Sequence, residues 1–166
     1  MKNTQIFIKT EKEKIKSCSF TGHRNIPDNF DKEKLKKTVE SLIKKGVEFF
    51  YNGGAMGFDL LCAEVVLSLK EKYPNSKLIL CIPCINQEKS YPEKEKERYK
   101  EVYQKADEKI YISNTTYFRG CMQKRNIYLA DNGDVLLAYL TKETGGTAFT
   151  VKYYKKKYPF KEILFL

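Results

Sequence analysis

Apolar positions along this chain fall into two alternating patterns, short unbroken runs and longer stretches with helical spacing. The runs Ile15–Phe20, Val47–Tyr51, Lys77–Ile82, Lys109–Ile112, Asp134–Leu140 and Glu162–Leu166 read as strands. Between them, Asp31–Lys45, Ala55–Lys72, Pro92–Lys105, Arg119–Leu129 and Gly145–Lys157 read as helices. Leu35, Val39, Leu42 and Ile43 share one face of the first helix, and the second is apolar enough to be largely buried. Strands that are continuously apolar and alternate with helices imply a parallel sheet covered on both faces. With right-handed crossovers, the expected fold is α/β, a Rossmann-like three-layer sandwich with a mainly parallel sheet. Residues 15–166 would form this single domain, and residues 1–14 a tail or an extra edge strand.

Composition narrows the class. A chain of 166 residues, 42% hydrophobic and 31% charged, can bury a core without disulfides and is not disordered. No apolar run approaches the ~20 residues of a membrane span. The apolar stretch near the start, Ile6-Phe7-Ile8, is too short for a signal-peptide core. The expected location is therefore cytoplasmic, in a bacterium or, for a protein encoded by a mobile element, in its host. The five cysteines are odd in number. Cys81-Ile-Pro-Cys84 has metal-type spacing, but zinc would need two more ligands in a chain with a single histidine, and the motif ends a strand rather than opening a helix. Buried, inert thiols and no metal are expected.

The net charge of +10 invites a nucleic-acid reading. Residues 1–16 carry +3, residues 31–46 carry +3, residues 152–161 carry +5, and the remainder nets −1. That is a lysine-rich solvated surface without one dense stripe, so a nucleic-acid partner is permitted but not favoured. Only four of the 31 basic residues are arginine. Arg98 lies in a balanced charge run expected to form a solvated helix with pairs such as Glu101–Lys105, whereas Arg24, Arg119 and Arg125 lie in or near loops and helix starts. A guanidinium fork there suits phosphate or carboxylate. Tyr153, Tyr154 and Tyr158 are read as core and rim of the last helix.

Ligands of open parallel sheets bind outside the carboxyl ends of the strands. There the chain has Thr21-Gly22-His23-Arg24, Asn52-Gly53-Gly54-Ala55-Met56-Gly57-Phe58-Asp59, and Thr144-Gly145-Gly146-Thr147. Two glycine-rich turns each open a helix, and helix N-terminal N–H groups hold anions. Neither turn is a GxxxxGK[ST] or GxGxxG motif.

Taken together, several segments resemble the YpsA-like family of the SLOG (SMF/DprA–LOG) superfamily. They are Phe20-Thr-Gly-His-Arg24, Gly53-Gly-Ala-Met-Gly-Phe-Asp59 with Ala63-Glu64, Ile82-Pro83 with Asn86-Gln87, Arg125-Asn126, Asp131-Asn132-Gly133-Asp134 and Gly145-Gly146-Thr147. The resemblance implies a Rossmann-like fold and a ligand that is a nucleotide or is derived from NAD or ADP-ribose. Carried onto this chain, the candidate ligand-binding residues are Gly22, His23, Arg24, Asn52, Gly53, Gly54, Gly57, Asp59, Arg125, Asn126, Gly145, Gly146 and Thr147. LOG-type enzymes of the superfamily cleave N-glycosidic bonds with a motif glutamate whose position here falls on Lys152, which disfavours that chemistry. As an enzyme, the chain would have to use Asp59 or Glu64. The DprA-like branch binds single-stranded DNA. The expectation is a nucleotide-binding sensor or sequestering protein, with no required cofactor and a homodimer or higher homo-oligomer as its state. A nucleotide or NAD glycohydrolase and a single-stranded nucleic-acid binder are the alternatives.

Overall fold

The computed structural model describes residues 14–166, so the expected N-terminal tail or edge strand lies outside the described residues. Six strands, β1 (Ser17–Gly22), β2 (Phe49–Asn52), β3 (Lys77–Ile82), β4 (Glu108–Tyr111), β5 (Val135–Tyr139) and β6 (Glu162–Phe165), form one sheet. Its order is β4-β3-β2-β1-β5-β6, and every neighbouring pair is parallel. Five helices connect them: α1 (Lys32–Lys44), α2 (Phe58–Leu69), α3 (Glu93–Lys105), α4 (Cys121–Asn132) and α5 (Gly146–Lys157). Helices α1, α2 and α3 pack together on one face, and α4 and α5 on the other. The expected three-layer α/β architecture is the one observed. No helix of the described residues is long and apolar enough to cross a membrane.

The layers follow from the sequence pattern. Central β5 has buried residues at four of its five positions, as a strand covered on both faces requires. In α1, Leu35, Val39 and Leu42 face the core, while Asp31 caps the first turn through Lys34 N–H at 2.8 Å. Helix α2 is buried nearly all round, sandwiched between the sheet and its two neighbouring helices. Tyr154 is wholly buried, and Tyr153 and Tyr158 both donate to Asp131 at the rim.

Three details differ from expectation. Strand β1 starts two residues later, because the Asp134 carboxylate takes the N–H groups of Lys16 and Ser17 (2.8 and 3.1 Å) before sheet pairing begins. Helix α2 starts at Phe58 rather than Ala55, because Gly54 and Gly57 hold left-handed backbone with φ of +66° and +81°. On α3, Glu101 and Lys105 do not pair; Arg98 instead bonds both Glu95 and Glu64. All five cysteines are buried and free, and burial pushes the Cys81 thiol up to about 12.

Candidate functional site

From β1 the chain steps outward through β2, β3 and β4, then returns to the other side of β1 for β5 and β6. The loops leaving β1 and β5 therefore diverge to opposite faces and open a crevice at the switch point. A cleft of about 530 Å³ occupies that crevice. Its walls are the segment after β1, the segment after β5 with the start of α5, and one face of α4; Ala55 and Asp59 close the bottom.

The loop after β1 is held on both sides. Gly22 must lack a side chain, because a Cβ there would overlap the Phe58 ring. The His23 carbonyl accepts the Phe58 N–H at 3.1 Å, and its Nε2 accepts the Thr141 N–H at 2.9 Å. The imidazole thus acts as an acceptor and joins the two loops across the cleft. Partial burial, followed by the nearby Lys142, lowers its pKa below the ordinary 6.5, so it is neutral at neutral pH. Arg24 follows on the exposed rim, and among the described residues its guanidinium has no hydrogen-bonding or ion-pair partner.

The glycine-rich segment after β2 serves the scaffold. Asn52 is wholly buried, donating to the Asp59 carbonyl (2.7 Å) and accepting the Gly54 N–H (2.8 Å). The Gly53 carbonyl accepts from Arg125 Nη1 (2.5 Å) and Gln87 Nε2 (3.2 Å). A Cβ on Gly53 would come within 2.7 Å of both the Asp59 carboxylate and the Arg125 guanidinium. Gly57 packs against the Arg24 backbone. Asn52, Gly53, Gly54 and Gly57 thus stand behind or beside the cleft and not in its lining. Gly22, His23, Arg24, Asp59, Arg125, Asn126, Gly145, Gly146 and Thr147 all line it.

The third glycine turn faces the cleft directly. Gly145 is the N-cap of α5 with φ +93°, and no side chain caps the helix. The first-turn N–H groups of an uncapped helix are free for a ligand. Arg125, only 4% exposed, adds its charge from α4 and also donates through Nε to Asn126 Oδ1 at 3.1 Å. Lys142 supplies a further cation from the loop after β5, so the lining holds three cations against one carboxylate.

That carboxylate is Asp59, which is buried in the first turn of α2 and accepts the Ala55 N–H at 3.3 Å. Burial raises its pKa from 3.8 to about 6, with Arg125 the largest opposing influence. A folded-state value above the unfolded one favours folding most below pH 3.8, and this contribution is lost as pH rises through about 6. The rise corresponds to about 3 kcal/mol of ionisation cost at pH 7. Asp59→Asn should therefore stabilise the fold at pH 7.5 by roughly 1–3 kcal/mol, a gain that disappears by pH 4. Urea denaturation at the two pH values checks this; a variant no more stable than the parent at pH 7.5 would show that the charge is not costly.

The other carboxylate candidate is elsewhere. Glu64 is engaged by Arg98 through two bonds of 2.7 and 2.8 Å between α2 and α3, outside the cleft. Lys152 is exposed further along α5 and does not line the cleft. Sequence reasoning missed Asn25, Met122, Leu129, Thr141 and Lys142 as cleft residues. Met122, Arg125, Asn126 and Leu129 follow i, i+3, i+4, i+7 spacing, so one face of α4 was available as a signal.

Comparison with known proteins places this geometry in context. The model of the YspA SLOG family, named YpsA, matches residues 27–164. A UPF0398 protein of Halalkalibacterium halodurans is 31% identical over 139 residues, covering 82% of this chain and 72% of that protein. The SPbeta prophage-derived protein YoqJ of Bacillus subtilis is 32% identical over 139 residues, covering 76% of this chain and 81% of that protein. Among solved structures, DNA processing protein A of Streptococcus pneumoniae aligns with a TM-score of 0.69 at 15% identity, over 92% of this chain and 50% of that one. The Helicobacter pylori protein of the same name, described with a single-stranded DNA binding mode, aligns with a TM-score of 0.64 at 18% identity, over 92% and 65%. The chain therefore spans half to two thirds of those longer proteins, and the likeness to them is one of fold.

Proposed function

The chain belongs to the YpsA family of SLOG proteins, and from that premise we propose that its switch-point cleft binds a nucleotide or an NAD- or ADP-ribose-derived ligand by its phosphate. The observation that carries the reading is the uncapped α5 N-terminus opening into a cleft lined by Arg24, Arg125 and Lys142. Phosphate accepts from helix N-terminal N–H groups and is favoured by the helix dipole. The Arg24 fork, without a partner among the described residues, adds a charge-assisted partner from the opposite rim. Asn126, bonded to Arg125 beside Gly146, supports the reading as a polar partner for a ribose hydroxyl. On this reading the chain is a sensor or a sequestering protein for a nucleotide signal, acting through self-association, a separate partner or sequestration alone.

A second reading has one observation on its side. The buried Asp59 carboxyl, pushed up to about 6, lies at the bottom of the same cleft, in the range suited to general acid–base work. In that reading it assists N-glycosidic cleavage.

A thermal-shift panel of AMP, ADP, ADP-ribose and NAD, with chromatography of each mixture, separates the two. A ligand at 100 times its dissociation constant adds about 2.7 kcal/mol, and the melting point should rise by roughly 5–10 °C with the compound recovered intact. Release of free base, abolished in Asp59→Asn, would transfer the case to the enzyme. A response only to an oligonucleotide, falling steeply with salt, would transfer it to nucleic acid.

A further inference from the structure

The geometry points to a second subsite beside the cleft, which takes the far heterocycle of a ligand whose two ring-bearing ends are joined through phosphate. This inference rests on the nucleotide reading above. A hollow of about 750 Å³ adjoins the cleft and shares Arg24 and Met122 with it. Each of the two spaces falls within the roughly 300–1,000 Å³ typical of small-molecule sites, so a mononucleotide in the first leaves the second free.

The shared residues suit a central phosphate. Arg24 stands on the rim between the two spaces, its guanidinium without a partner among the described residues, whereas Arg98 and Arg125 are tied to carboxylate or carbonyl groups of the protein. Met122 forms the apolar step between them, and a thioether accommodates rings of different shape.

The lining of the second hollow suits a flat ring. Tyr117 is 69% exposed and Ile85 39% exposed, so both side chains are accessible to a ligand in this hollow. Tyr117, Ile85 and the buried Cys84 provide apolar surface. Thr116, Ser90 and Asn86 bring hydrogen-bonding groups to the same space, and Lys89 adds a cation. Asn86 has left-handed backbone, φ +59°, a turn conformation that asparagine tolerates. The loop is nevertheless well held: the Ile85 N–H donates to the Thr115 carbonyl at 2.8 Å, so the two sides of the hollow are tied together. Stacking on an exposed aromatic needs no particular base, while the polar groups can select one.

Calorimetric titration of AMP and of diadenosine diphosphate into the parent protein and Tyr117→Ala tests the inference. Tyr117 is exposed, so the variant should retain its melting point. The two-base probe should bind the parent at least ten-fold more tightly than AMP, and Tyr117→Ala should lose about ten-fold on that probe while leaving AMP unchanged. Equal binding of the two probes by the parent, or a two-base affinity indifferent to Tyr117→Ala, overturns the second subsite and leaves the nucleotide reading standing. Failure of both probes overturns both. A short single-stranded oligonucleotide that binds more tightly than the two-base probe, with affinity falling steeply in salt, also overturns it, because the groove would then continue past Asn86 into the neighbouring hollow of Tyr111, Lys96 and Lys100.

Discussion

Gly146→Asp should abolish nucleotide binding while leaving the fold intact. Gly146 is the first residue of α5, and the nearest atom a Cβ there would meet is the Asn126 amide nitrogen at 3.2 Å. That is the end of a flexible side chain, which can give way. An acidic residue in a first helical turn is also favourable to the helix dipole. The substitution therefore leaves stability near that of the parent and places a carboxylate where a phosphate would sit. Opposing like charges cost several kcal/mol, so affinity for AMP should fall at least 100-fold. Titration and a melting curve on the same preparation suffice. A variant that binds AMP within three-fold of the parent would remove the α5 N-terminus from the site.

Gly57→Ala should have the largest effect on stability. Gly57 holds φ +81°, which costs a non-glycine residue about 1 kcal/mol or more. Its missing side chain is also where the backbone of Arg24 lies; a Cβ would overlap the Arg24 carbonyl group, which has no freedom to rotate away. Either the loop after β1 or the start of α2 must move, and the bond from Phe58 N–H to the His23 carbonyl lies at that junction. Strain and overpacking together should cost about 3–5 kcal/mol, a fall of roughly 8–15 °C in melting point. Gly145→Ala is the control: its backbone (φ +93°, ψ −174°) is also one that side chains rarely adopt, but nothing lies within 4 Å, so it should cost only about 1–3 kcal/mol. Equal losses for the two variants would show that backbone conformation alone, and not the contact with Arg24, sets the requirement.

These two glycines also show what the sequence could and could not reveal. Both stand in glycine turns that open a helix after a strand, and the two turns look alike as text. The turn at Gly145 faces an open cleft, while the turn at Gly53–Gly57 is filled by Arg24, Arg125 and Gln87. That difference is made by residues distant in sequence, so local pattern does not contain it. For the same reason Asn52 was legible as a polar residue at a strand end but not as the buried bracket it forms between Gly54 and Asp59. Glu64 was legible as a carboxylate near the site; its capture by Arg98 depends on how α3 docks on α2. The order of elements and the parallel sheet were readable almost throughout, because β5 and, after Lys77, β3 are apolar runs that alternate with helices, as strands covered on both faces require. Lys142 carried no signal in a chain where lysine is everywhere.

Paired titration of AMP and adenosine into the parent protein tests the central claim most directly, because the two differ only by the phosphate. Capture at the α5 N-terminus beside Arg24 and Arg125 requires AMP to bind at least 100-fold more tightly than adenosine, with charge-assisted bonds supplying the difference. Indistinguishable affinities for the two, or binding of neither AMP nor any larger phosphate-bearing nucleotide, would contradict it.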